Sequence, residues 1–203
     1  MSKNRKLSAK EALGLAAPHT WVCSIYPALF AFFYARHKNL TLSIFQAIFL
    51  LIACILMQSA ANTVNDYADF VSGVDSKSDN VEKSDSILVY NKLEAKSALR
   101  LALIFLGLAL LFVIFSFKNH VKEPLLIGGI GALFVFLYSM GPVKISYLPL
   151  GELVSALLMG ALIPMGILAV ADGRFHFEVF FFALPLILGI GLVMMTNNTC
   201  DIE

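Results

Sequence analysis

The chain is 203 residues long, 59% hydrophobic and 14% charged, with a net charge of +1 and a mean hydropathy of +0.80. A soluble domain carries about 25% charged residues to cover its wetted surface, so this composition excludes a soluble globular enzyme and a disordered chain. The near-neutral balance supplies no basic field for nucleic acid. A bilayer-spanning helix takes about 20 apolar residues, and the expected class is an all-α integral membrane protein with six transmembrane helices.

In chain order, the basic N-terminus (Lys3, Arg5, Lys6, Lys10) has no short apolar region with a small-residue cleavage site behind it, so the first helix is expected to stay. Apolar runs then fall at Trp21–Tyr34, Leu42–Ala61, Leu99–Phe117, Leu125–Tyr138, Leu148–Val170 and Val179–Thr196. The first and fourth are short and must borrow flanking residues, while Pro27, Pro164 and Pro185 predict kinks that neighbouring helices can tolerate. Ten Lys and Arg residues fall on the side of the N-terminus and the second and fourth loops, against five on the other. Retained positive charge marks the cytoplasmic face, so those segments, and the C-terminus after six crossings, are expected in the cytoplasm. Cys23, Cys54 and Cys200 lie singly in or beside apolar stretches and read as small hydrophobes. His19, His37, His120 and His176 show no mutual metal-ligand spacing.

The polar residues are concentrated. Six of the fourteen acidic residues fall between Asp66 and Asp85, directly after the second run. Upstream, Gln58, Asn62, Asn65, Asp66 and Asp69 step by 4, 3, 1 and 3, which puts all five on one stripe of a helix. A solvated loop needs no stripe, and amides or carboxylates in a membrane helix are costly unless they face the bundle interior. Oxygen ligands so aligned suit Mg²⁺, which favours carboxylates and waters and bridges to phosphate. Asn197, Asn198 and Asp201 repeat the arrangement at the end of the sixth run, on the same face. Two such helix ends can hold two Mg²⁺ between them and grip a diphosphate. A divalent-cation transporter is the competing reading, but its site belongs near the bilayer midplane, and both clusters stand at one surface.

Asn65-Asp66-Tyr67-Ala68-Asp69, with Gly73 and Asp75 after it, resembles the first aspartate-rich motif of the UbiA superfamily of intramembrane prenyltransferases. Asn197-Asn198-Thr199-Cys200-Asp201-Ile202-Glu203 is similar to the opening of its second. Tyr138-Ser139-Met140-Gly141-Pro142, followed by Leu150-Gly151-Glu152, is similar to the branch acting on 1,4-dihydroxy-2-naphthoate. The resemblance implies a bundle of typically nine helices around a lipid-open cavity, and transfer of a polyprenyl group from its diphosphate to an aromatic acceptor. For this branch it implies loss of CO₂ and formation of demethylmenaquinone. By resemblance, Asn65, Asp66, Asp69, Asp75 and Asp201 hold Mg²⁺, and Lys144 and Tyr138 contact the diphosphate. Asp66, Asp69 and Lys144 carry the catalysis, and Asn62, Glu152 and Asn198 join the substrate-binding set. Lys144 also reads as an interfacial anchor, and Glu152 as a helix-start residue bonded to backbone.

The sequence departs from the family pattern at Ala17 and Cys200, where arginine is usual, and it stops at Glu203, inside the second motif. The expected organisation is one incomplete prenyltransferase domain over residues 1–203, with a cytoplasmic loop at 62–98 carrying the first motif. A fragment of a working enzyme and a truncated, inactive product are the two readings of that stop.

Overall fold

A computed structural model describes residues 7–73, 87–91, 93–148 and 150–200, the last four by backbone alone. The described residues are helical, with no strand among them. Helix α1 (Ala9–Leu15) and a 3₁₀ turn (Pro18–Trp21) lead into α2 (Val22–His37), and α3 (Ile44–Ser72) follows. A short α4 (Ile87–Asn91) precedes α5 (Ala95–Ser116) and α6 (Lys122–Met140). One further rod consists of α7 (Gly151–Leu157), a π turn (Leu158–Leu162) and α8 (Ile163–Asp172). The chain closes with α9 (Val179–Phe182) and α10 (Leu184–Cys200).

Four of these elements are long and apolar enough to cross a membrane: α3, α5, α6 and the Gly151–Asp172 rod. The first and last expected spans are shorter helices. The 16 residues of α2 rise about 24 Å at 1.5 Å each, against a hydrocarbon core of about 30 Å. By length and composition, these four helices suit a chain that crosses a membrane several times.

Helix α3 organises the bundle. Its start is a capping box in which the Ser43 hydroxyl accepts from the Gln46 amide while the Gln46 side chain accepts from Ser43 N–H at 3.0 Å. It ends on Gly73, whose φ of 73° suits the left-handed cap. Its 29 residues rise about 43 Å, so its last turns project past an apolar core of about 30 Å. Residues 62–72, expected as the start of the cytoplasmic loop, are therefore helix, and 95–98 belong to α5. The helical period that aligns the polar stripe also carries the backbone onward to Gly73.

Small side chains bring the helices together: Ala60, Val64 and Ala102 are buried where α3 meets α5. Membrane helices approach closely through such residues. At Gly160, in the π turn, an added Cβ would lie 2.8 Å from Ile187 Cα of α10, so the crossing there depends on glycine. The π turn runs directly into Pro164, which cannot donate and would crowd the carbonyl four residues back; the extra residue of the π turn is how the rod absorbs it. Pro27 is buried within a continuous α2. Pro185 stands at the second position of α10, where a missing N–H costs little, and so begins a helix where a kink was expected.

The segment before α2 is tied to α3 by polar bonds. Trp21 Nε1 donates to Ser59 Oγ at 3.0 Å and to Ala16 O at 3.2 Å, and Thr63 Oγ1 donates to Leu15 O at 3.1 Å.

Candidate active site

The last turns of α3 meet the end of α6 and the loop behind it. Asn65 Nδ2 donates to Asp69 Oδ2 at 2.9 Å, one helical turn on, and Asn65 Oδ1 accepts from the buried Ser139 hydroxyl of α6 at 2.8 Å. Asp69 Oδ1 accepts from the Tyr147 hydroxyl at 2.9 Å. Lys144 Nζ donates to Ser72 Oγ at 2.9 Å and to Tyr147 Oη at 3.3 Å, and lies 4.6 Å from the centre of the Tyr147 ring. One amide, one carboxylate, one phenol and one ammonium thus form a continuous chain at one end of the bundle, with Asp66 half-buried beside them.

Local sequence explains the loop that closes this cluster. A Cβ at Gly141 would lie 2.7 Å from Leu137 O, and one at Gly151 would lie 2.7 Å from Ile145 O. Both glycines let the backbone fold back on itself, which presents Lys144 and the 3₁₀ turn Ile145–Tyr147 toward α3. Such close approach is what a glycine permits.

The other expected residues fall as follows. Asn62 Nδ2 donates to Ala16 O at 3.0 Å and to Thr20 Oγ1 at 2.8 Å, while Gln58 donates to Asn62 Oδ1 at 3.3 Å. The upper part of the stripe therefore clasps the segment before α2, and the lower part meets the Lys144 loop. Tyr138, half-buried on α6, and Glu152, in the first turn of α7, are near enough to interact electrostatically. Asp75 and Asp201 lie outside the described residues, as does the side chain of Asn198. Tyr147 has no role in the sequence reading, because its only signal there is its place three residues after Lys144.

The donor set of Asn65, Asp66 and Asp69 is all oxygen, which fits a hard divalent ion such as Mg²⁺. Among the described residues, no three His, Cys, Asp or Glu side chains gather into a metal site. Two cavities, of about 270 and 330 Å³, lie at the opposite end of α3, around Ser43.

The fold and this helix-end cluster define a class, the α-helical membrane proteins that present amide and carboxylate oxygens beside a lysine at one bundle end. The chain belongs to the UbiA prenyltransferase family, whose profile matches residues 24–203. It is 30% identical over 203 residues to 1,4-dihydroxy-2-naphthoate octaprenyltransferase of Bacillus subtilis (strain 168), covering 96% of this chain and 63% of that protein. It is 27% identical over 191 residues to UbiA prenyltransferase domain-containing protein 1 of Xenopus tropicalis, covering 92% and 53% respectively. Among solved structures, a UbiA homolog from Archaeoglobus fulgidus bound to DMAPP and Mg²⁺ has the same fold. The TM-score is 0.67 at 18% identity, over 85% of this chain and 58% of that one. The chain thus spans less than two thirds of the relatives it matches.

Proposed function

We propose that this chain belongs to a Mg²⁺-dependent prenyltransferase that moves a polyprenyl group from its diphosphate to an aromatic acceptor. The acceptor proposed is 1,4-dihydroxy-2-naphthoate. The observation that carries the reading is the linkage of Asn65 and Asp69 to the Lys144 loop through Tyr147. The naphthoate octaprenyltransferase among the relatives supports the acceptor.

In this reading Asn65, Asp66 and Asp69 hold Mg²⁺, with Asp75 and Asp201 completing the set. Mg²⁺, when bound, offsets the negative charge that grows on the departing diphosphate. The Lys144 ammonium donates to the same diphosphate, strengthened by its partly buried setting. As the allylic C–O bond breaks, its electron pair leaves with the diphosphate and a ring carbon of the acceptor supplies the pair for the new C–C bond. The carboxylate on that carbon leaves as CO₂, and the product is demethylmenaquinone in its reduced form. Apolar helix faces keep water from the allylic carbon. Asn62, Tyr138, Glu152 and Asn198 belong to the substrate-binding set. The protein lies in the cytoplasmic membrane with its N-terminus and this site on the cytoplasmic side, as its lysine and arginine distribution favours.

The test is release of labelled diphosphate together with a prenylated naphthoate from membranes containing the protein, compared with Asp69→Ala. A fall of at least about 100-fold is expected for loss of a charge-stabilising group; equal activity in both would end the reading. Prenylation of a different aromatic acid, with naphthoate left untouched, would keep the transferase and remove the acceptor.

A further inference from the structure

Opposite the carboxylates, the ends of α2, α3, α5 and α8 enclose the two cavities. The first, about 270 Å³, has a polar wall of Thr41, Ser43, Gln46, Lys118, Asn119 and His120, and an apolar wall of Leu42, Val170 and Ala171. The second, about 330 Å³, shares Thr41, Leu42 and Ser43 with the first, adds Arg36, and is otherwise walled by apolar side chains that include Phe32, Leu40 and Ala47. A polar basin therefore continues into an apolar groove between α2 and α3. Ile44, which lines the groove, is 68% exposed, so the groove opens where acyl chains lie.

The charge of this basin has one sign. Lys118 is the formally charged lining residue of the first cavity and Arg36 that of the second, and no carboxylate lines either. The nearby acids, Asp172 at the end of α8 and Glu178 just before α9, are both bonded to His176. The start of α3 adds the positive end of a 29-residue helix. The basin is also built. Gln46, 5% exposed, donates to Ser116 O at 2.8 Å, which fixes α3 to the end of α5, and His120 packs against Gly173, where a Cβ would collide with its ring.

We propose that these two adjoining cavities bind an anionic phospholipid, with its headgroup at the shared Thr41–Ser43 rim, where Lys118 of the first cavity and Arg36 of the second supply the positive charge, and one acyl chain along the groove between α2 and α3. Basic pockets between membrane helices suit anionic headgroups, and the adjoining apolar groove fits a lipid where a free phosphate would leave it empty. The site is separated from the Asp69 cluster by nearly the length of α3.

The experiment uses the purified full chain in a neutral detergent, with thermal unfolding read as phosphatidylglycerol is added. A rise in midpoint of about 5 °C is expected at saturation, with one lipid retained in native mass spectra. The double variant Arg36→Gln/Lys118→Gln should lose most of that rise. Arg36→Lys/Lys118→Arg should keep it, which separates lost charge from a damaged fold, as should Lys96→Gln/Arg100→Gln at the opposite end. An equal rise with phosphatidylcholine, the same rise with inorganic phosphate, or a full rise in the glutamine double variant would each overturn the proposal.

Discussion

The Tyr147 hydroxyl donates to Asp69 Oδ1 at 2.9 Å, joining two residues 78 positions apart in the chain. The bond orients a carboxylate that the proposed function assigns to Mg²⁺, and Lys144 reaches the same hydroxyl from the other side. Tyr147→Phe keeps the ring under the Lys144 ammonium and removes only the hydroxyl. Because Tyr147 is 54% exposed, the bond is worth less than a buried charged one. The expected result is a fall of about 3-fold to 10-fold in prenyl transfer with an unfolding midpoint within about 2 °C of the parent. Diphosphate release and a thermal melt measure the two sides; parental kinetics would remove Tyr147 from the site.

Gln46 is buried while serving two helices, as the second half of the Ser43 capping box and as donor to Ser116 O. Gln46→Leu has similar bulk but leaves that carbonyl and the Ser43 N–H without their partner. A loss of about 2–3 kcal/mol follows, seen as a midpoint lower by about 4–12 °C in detergent.

Gly160 meets Ile187 backbone, which cannot swing aside as a side-chain tip could. Gly160→Ala should cost about 1–3 kcal/mol by overpacking, and Gly160→Val more. By contrast Gly107→Ala, where a Cβ meets nothing within 4 Å, should leave the fold unchanged or slightly more stable. Parallel melts of these variants decide it, and equal midpoints for Gly160→Ala and Gly107→Ala would refute the close crossing.

The loop between α8 and α9 holds a histidine between two carboxylates. His176 Nε2 lies 3.0 Å from Asp172 Oδ1 and its Nδ1 lies 2.9 Å from Glu178 Oε1, so both ring nitrogens face carboxylates and both must donate. Burial works against the ring's charge, but the bonds and charges of Glu178 and Asp172 outweigh it and hold the imidazole above its ordinary value. The His176 bond in turn holds Glu178 below the usual carboxylate range, helped by Lys38. The histidine's contribution is complete below its unfolded value of about 6.5 and is lost as pH rises through the raised folded value. The glutamate's is complete above about 4.5 and lost as pH falls through its lowered one. The clamp is therefore firmest between about pH 4.5 and 6.5, and His176→Gln should abolish the decline above that window. NMR titration of the ring reads it directly, and an ordinary histidine titration would sink the prediction.

The polar stripe is legible in the sequence because Gln58 to Asp69 follow the helical period, and a helix end rich in amides and carboxylates has few structural explanations in a membrane protein. The partners of that stripe are not legible. Ser139, Thr20 and Tyr147 reach it only through tertiary contact, and a hydroxyl or phenol at a loop carries no periodic signal. The extent of α3 was hidden because its last three turns are polar, and hydropathy ends a span where apolarity ends. The π turn at Leu158–Leu162 was visible only as Pro164, which marks a disturbance without saying how the backbone absorbs it.

Trp21 is the one tryptophan in the chain, and its indole N–H is shared between Ser59 and Ala16. Its emission is consequently a label-free optical gauge of whether the segment ahead of α2 stays docked on α3. Undocking shifts the spectrum locally, while damage at Gly160 or Gln46 reaches the indole only when the whole bundle gives way. Fluorescence and circular dichroism recorded on one sample can thus tell a loosened entrance from a collapsed core.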